Sequence, residues 1–213
     1  MTNFKCFWNS NNFDIIFIVC FILICFYRIL YVFKIFYWLM HRLLKKYYFI
    51  KNFNATELKN LNSNTALIYR NYEKKPNITE LLELKNFCKK KGFKVYLSNN
   101  FQLAIKLSFD GAYIPSFNKS YDHLNFSLKK NFTILGSAHN IKEIRLKESQ
   151  KVDFIFISSI FKKNKNYLGL HKFSNLEKLS KKKTIALGGI SKKNIKALAL
   201  TNCVGFAGIG YFK

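Results

Sequence analysis

Two glycine-rich segments near the C-terminus hold the residues best suited to chemistry: Gly188-Gly189-Ile190-Ser191 and Gly205-Phe206-Ala207-Gly208-Ile209-Gly210. Without a Cβ in the way, a glycine backbone approaches an anion closely and offers it N–H groups. The pattern from Lys192 to Leu200 predicts a helix directly after the first segment. Ser191 would cap that helix, and its free N–H groups would face a phosphate. Gly188, Gly189, Ser191, Gly208 and Ile209 are therefore candidate phosphate contacts. Either segment alone reads as a tight turn; the pair favours an anion site.

A third segment, Gly136-Ser137-Ala138-His139-Asn140, carries an imidazole whose near-neutral titration suits proton transfer. The residues alone leave His139 equally open to a role as helix cap or packing group. A fourth, Ser158-Ser159-Ile160-Phe161-Lys162-Lys163-Asn164-Lys165, sets hydroxyls and cations together. In a chain with 36 Lys and Arg, any one of those lysines is ordinarily solvated surface.

The elements that would position these residues are short apolar runs alternating with lysine-rich helical windows. Strands are predicted at Tyr47–Ile50, Ala66–Tyr69, Lys94–Leu97, Gly111–Ile114, Thr133–Leu135, Phe154–Ser158, Thr184–Leu187 and Gly205–Ile209. The clearest helices are Ile78–Lys91, Phe101–Leu107, Ile141–Glu148, Leu170–Ser180 and Lys192–Leu200. Eight such units close most simply into a compact α/β structure, a (β/α)8 TIM barrel. Its ligands belong at the C-terminal ends of the strands, with phosphate at the loops after strands seven and eight, where both glycine segments fall. The chain stops at Lys213, so the barrel is expected to lack its last helix. The seam between first and last strands would then expose apolar surface, which the N-terminal segment is a candidate to cover.

That segment, residues 1–44, is unlike the barrel at 45–213. Residues 15–27 are thirteen consecutive apolar or aromatic side chains. Extended to residue 33, the run could span a bilayer and leave the barrel in the cytoplasm, because the flank after it is basic. Alternatively Met40 is the true start.

The totals exclude several classes. A length of 213 residues with 49% hydrophobic content supports one domain plus an appendage. A net charge of +25 would suit nucleic acid, but it is dispersed over every helix, with no recognition motif or aromatic platform. Nucleic acid is not an expected partner, and much of the lysine excess matches A+T-rich codon usage. Five cysteines without a C-x-x-C pair argue against zinc or a disulfide framework and fit a reducing compartment. A homo-oligomer is left open.

The order of these motifs resembles the thiamine-phosphate synthase/TenI family over nearly all of Tyr47–Phe212. Gly136-Ser137-x-His139 is similar to the family's Gly-x-Ser-x-His segment, and Ile185-Ala186-Leu187-Gly188-Gly189-Ile190-Ser191, followed by Asn194, to its Ala-Ile-Gly-Gly-Ile-Thr-x-x-Asn block. Phe154 to Leu170 looks like the stretch bearing phosphate-contacting Thr and Lys, here Lys163 and Lys165. Within the family, the synthase joins a pyrimidine diphosphate to a thiazole phosphate, releasing pyrophosphate with Mg2+, whereas the TenI branch aromatises a thiazole phosphate with a His acid/base. The resemblance thus implies a small phosphorylated heterocycle as ligand, Gly188, Gly189 and Gly208 around its phosphate, Ser137 as a further contact and His139 as acid/base.

Departures from the pattern sit in the other half of the site. Of the family's Gln-x-Arg-x-Lys only Arg70 remains; Ser98-Asn99 stands for Asn-Asp, and Asn118 for an Asp. Both metal-holding carboxylates are thus amides or absent, and Asp110 lies at the wrong end of its strand to replace them. No metal ligand is expected, no cofactor is expected, and Mg2+ would enter only if synthase activity survives. Tyr72, Tyr113, Ser116 and Phe117 give that half aromatic and hydroxyl character instead. The expected function is a thiazole-phosphate-binding, TenI-like isomerase; the alternatives are a synthase with an altered metal site and a non-catalytic ligand sensor.

Overall fold

In a closed barrel every second side chain of a strand points at the axis, so each strand must read apolar at alternate positions. The computed structural model describes residues 26–29, 31 and 44–212 and builds the barrel from such strands. They are β1 (Lys45–Ile50), β2 (Thr65–Tyr69), β3 (Val95–Ser98), β4 (Gly111–Ile114), β5 (Thr133–Ala138), β6 (Phe154–Ser158), β7 (Lys183–Leu187) and β8 (Gly205–Ala207). All neighbours pair in parallel, in sequence order, and β1 closes on β8. Along the axis lie Tyr47, Ile68, Tyr96, Tyr113, Leu135, Phe156, Ile185 and Ala207. Aromatic rings fill the space, with Phe156 edge-on to Tyr47 at 5.0 Å and to Tyr113 at 5.7 Å.

The opposite faces of the strands pack against α1 (Ala55–Leu58), α2 (Ile78–Lys91), α3 (Phe101–Lys106), α4 (Ile141–Ser149) and α5 (Gly169–Leu179). Helix α2 shows how the sequence sets such an element. Asn77 accepts from the Thr79 N–H at its start; Leu81, Leu84 and Cys88 recur at helical spacing and are buried; Gly92, with φ of 70°, ends it.

The structure departs from the sequence expectations at two places beside the glycine segments. The helix expected over Lys192–Leu200 is a 3-10 helix over Ile195–Leu200, and Ser191 does not cap it. Asn194 is the cause: its Oδ1 accepts from the Ser191 N–H at 2.9 Å and its Nδ2 donates to the Gly189 carbonyl at 2.8 Å. Those local bonds hold a turn where a helix would otherwise begin. Strand β8 ends at Ala207, not Ile209, and a short α6 (Ile209–Phe212) follows. Phe212 packs on Tyr48 at 5.0 Å and Tyr211 on Phe206 at 4.8 Å, so the seam expected at β1 and β8 is paired and partly covered.

Contacts divide the chain into two units, Met1–Arg42 and Leu43–Lys213, the barrel being the second. Among the described residues no helix is long and apolar enough to cross a membrane. Most of the expected apolar segment at residues 15–33, and the alternative start at Met40, lie outside the described residues.

Candidate functional site

At the C-terminal end of β7 the chain turns through Gly188 and Gly189, at φ of 106° and 76°. Both lie in the left-handed region that glycine adopts without strain. The loop after β6 folds onto this turn: Ile160 N–H donates to the Leu187 carbonyl at 3.0 Å, and the Phe161 and Lys162 N–H groups donate to the Gly188 carbonyl at 2.9 and 3.2 Å. A Cβ on Gly188 would collide with Ser159, and one on Gly189 would lie 2.6 Å from the Lys162 nitrogen. With the carbonyls taken up in that interlock, the N–H groups of Gly189, Ile190, Gly208 and Ile209 meet no acceptor among the described residues.

These groups border a cavity of about 310 Å3 at the barrel mouth, which Arg70 and Lys162 also line. The Arg70 guanidinium lies over the Phe49 ring, 4.6 Å from its centroid. That cation–π contact holds the guanidinium beside a ring that also lines the cavity. Of the candidate residues, the structure brings Arg70, Gly188, Gly189, Ser191, Gly208 and Ile209 together here. Lys163 and Lys165 are on the same loop but do not line the cavity; Lys162 does. No sequence signal separates three lysines in a row of polar residues. The bond from the Lys162 N–H to Gly188 is what selects it. Phe49 had a signal, since it shares the inward face of β1 with Tyr47.

Ser137 is buried at the end of β5, outside the cavity lining. It lies beside the Tyr113 hydroxyl, whose pKa burial pushes up to about 12, with Ser137 and Arg70 opposing the rise. His139 stands just past the same strand end, its side chain 26% exposed and likewise outside the lining. Its Nδ1 is 2.9 Å from Glu143 Oε2, which also accepts from the His139 N–H at 2.8 Å. An ionised carboxylate can only accept, so it places the imidazole proton on Nδ1 and leaves Nε2 as the basic nitrogen. The second open role of His139, as a helix cap, belongs instead to Asn140, whose Oδ1 accepts from the Glu143 N–H at 3.0 Å.

The other side of the mouth is neutral. Tyr72 and Phe117 pack edge to face with centroids 5.4 Å apart, and the Tyr72 hydroxyl is 2.8 Å from Ser98 Oγ. Next to them Asn118 Nδ2 donates to Asn99 Oδ1 at 2.5 Å, while Asn118 Oδ1 accepts from the Ser120 N–H at 2.8 Å. A hard dication such as Mg2+ is held by anionic oxygens with free lone pairs. Here both oxygens belong to neutral amides and both already accept, so the residues present do not fit Mg2+. Among the described residues no three His, Cys, Asp or Glu side chains gather into a metal-binding group.

The position of Asn118 is secured from α4. Lys147, 0% exposed, donates from Nζ to the Asn118 carbonyl at 2.8 Å and to Gln150 Oε1 at 2.9 Å. Desolvation lowers the Lys147 pKa from 10.5 to about 8, against the attraction of Glu143. Between those values the unfolded chain holds the proton that the folded chain has released, so stability rises with pH. Relative to Lys147→Met, the wild type should gain about 1 kcal/mol between pH 8 and pH 9. Urea unfolding at both pH values measures this difference; parallel pH dependences in the two proteins would show that Lys147 is not neutralised there.

Comparison with known proteins places this geometry in context. The profile of the family described as thiamine monophosphate synthase matches residues 52–212. The chain is 27% identical over 150 residues to a thiamine-phosphate synthase of Persephonella marina, covering 65% of this chain and 69% of that protein. It is 23% identical over 169 residues to a thiamine-phosphate synthase of Limosilactobacillus reuteri, covering 74% of this chain and 79% of that one. Among solved structures, a thiamine phosphate pyrophosphorylase from Pyrococcus furiosus superposes with a TM-score of 0.63 at 17% identity, over 80% of this chain and 87% of that one. At that identity the superposition speaks for the fold.

Proposed function

The chain belongs to the thiamine monophosphate synthase family, and from that membership we propose that it binds a small phosphorylated heterocycle of the thiazole phosphate kind at the barrel mouth. The observation that carries this reading is the cradle of unclaimed N–H groups at Gly189, Ile190, Gly208 and Ile209 facing one cavity with Arg70 and Lys162. Backbone donors, a guanidinium held over an aromatic ring and a neighbouring lysine are the complement of a phosphate dianion. The ring of such a ligand extends across the mouth toward β5, where His139 Nε2 is the proton acceptor. A TenI-like tautomerisation needs nothing more: His139 takes a proton from one ring position and the imidazolium returns it at another, with no net change in atoms or electrons.

The synthase reading is supported by the names of the relatives and opposed by the amide corner, which offers a leaving pyrophosphate no metal. Calorimetric titration with a thiazole phosphate tests the binding reading directly. Wild type should bind it without added metal, and Arg70→Ala should weaken binding by about tenfold or more, the usual effect of losing a hydrogen bond to a charged group. Absence of binding by wild type at saturating ligand would overturn it.

A further inference from the structure

At the N-terminal ends of the strands the barrel axis, apolar and aromatic elsewhere, is closed by cations. Lys45, Lys94, Thr133 and Lys183 each stand two residues before an axial side chain, namely Tyr47, Tyr96, Leu135 and Ile185, and so share its face. They begin or directly precede the odd-numbered strands and make one layer of four, as alternate strands of such a barrel do. Lys45 shows the arrangement: its Nζ lies over the Phe154 ring, 5.1 Å from the centroid, while the residue stays exposed. Lysine stems of this kind cover an apolar floor and leave the ammonium in water.

Closing the floor needs no more than that, yet further lysines crowd the same end. Lys130, Lys181 and Lys182 join Lys94 and Lys183 around an open basin of about 740 Å3. The carboxylates that line it are each tied to a strand: Asp110 Oδ2 accepts from the Val95 N–H at 2.8 Å, and Asp153 Oδ2 from the Ile134 N–H at 2.7 Å. Among the described residues none of these five lysines, nor Lys45 or Lys46, forms an ion pair. Like charges gathered on one face repel one another, a cost that an anionic partner reverses. Charge that is dispersed along the sequence is thus concentrated by the fold.

The lining of the basin says what kind of anion fits. No glycine turn contributes to it, in contrast to the mouth at the other end, so nothing in it is shaped to a single phosphate. Lysine is a point charge on a flexible stem, suited to a diffuse field more than to paired, planar recognition. The two rings of the basin, Phe132 and Phe154, are packed against the core clusters and offer no stacking platform for bases. An extended anionic surface meets all three conditions. Position favours a membrane: β1 begins at Lys45 on this face, so the residues before it join the barrel at this end. They include the apolar run 15–33, in which Arg28 is the one charge. A basic cluster next to an apolar segment is the combination that an anionic leaflet attracts.

We propose that the lysine-bearing N-terminal end of the barrel docks on the anionic surface of a membrane, which leaves the mouth at the opposite end open to solvent. The proposal does not depend on what the mouth binds.

Vesicle co-sedimentation of the full-length chain tests it. Wild type should bind phosphatidylcholine vesicles containing about one-third phosphatidylserine at least about 100-fold more tightly than pure phosphatidylcholine. Raising the salt from about 0.1 M to about 0.5 M should weaken that binding by about tenfold or more. The Lys130→Gln, Lys181→Gln, Lys183→Gln variant, changed only at exposed positions, should lose about tenfold or more of the preference. A control, Lys74→Gln, Lys75→Gln, Lys119→Gln, removes the same charge from the loops after β2 and β4 and should bind as wild type does. Equal binding to both kinds of vesicle, binding indifferent to salt, or an equal loss in the two variants would each overturn the proposal. A duplex RNA bound more tightly than the anionic vesicles, with that affinity lost in the first variant, would overturn it in favour of nucleic acid.

Discussion

Replacing His139 with alanine should lower turnover of a thiazole phosphate by about 10²- to 10⁴-fold, the usual contribution of a general acid/base, while leaving its binding affinity nearly unchanged. The asymmetry follows from the geometry. The proposed phosphate contacts come from the loops after β6, β7 and β8 together with Arg70, whereas His139 follows β5 and lines no part of that cavity. Removing the imidazole takes away a proton acceptor without disturbing the cradle. Glu143 makes the effect specific to one nitrogen, because its carboxylate faces Nδ1 and leaves Nε2 to work. Single-turnover rates and calorimetry on the same two preparations decide the matter. Equal rates would remove His139 from the chemistry.

The second large effect is expected at a residue with no side chain. Gly189→Ala should weaken phosphate-ligand binding by about 100-fold or more while the barrel stays folded. Two costs combine at this position. An alanine at φ of 76° is strained, by about 1 kcal/mol or more. Its Cβ would also stand 2.6 Å from the Lys162 nitrogen and 3.0 Å from the Phe161 carbonyl carbon, which are backbone atoms that cannot rotate away. The loop after β6 must therefore shift, carrying Lys162 out of the cavity and turning the Gly189 N–H from its direction. None of the eight strands is involved, so circular dichroism should be unchanged and the melting temperature should fall by only a few degrees. Retained affinity in the folded variant would show that the cradle is not where the phosphate binds.

Both predictions depend on parts of the molecule that differ in how far the chain alone reveals them. The barrel was legible because its signals are local. Alternation on β1, the helical spacing of Leu81, Leu84 and Cys88, and Gly92 as a stop each depend on residues within a few positions of one another. Gly188, Gly189 and Gly208 were legible for a related reason: a glycine is needed where a backbone comes close, whatever comes close to it. The loss of charge at Asn99 and Asn118 was equally plain, since it needs only residue identity.

Other features were set by contacts across long stretches of sequence, which no local pattern encodes. Lys162 rather than Lys163 or Lys165 reaches the cavity because its N–H bonds to Gly188, 26 residues later. The expected helix at Lys192 gave way to a turn because the Asn194 side chain reaches back to Ser191 and Gly189. The two asparagines bond to each other, and a lysine from α4 is buried beneath one of them, only because closing the barrel brings the loops after β3 and β4 against that helix. Residue types determined the strands, the glycine turns and the missing carboxylates. Which cations, amides and imidazole nitrogen remain available to a ligand was decided by the tertiary structure, because a polar group's availability depends on which distant partners have already satisfied it.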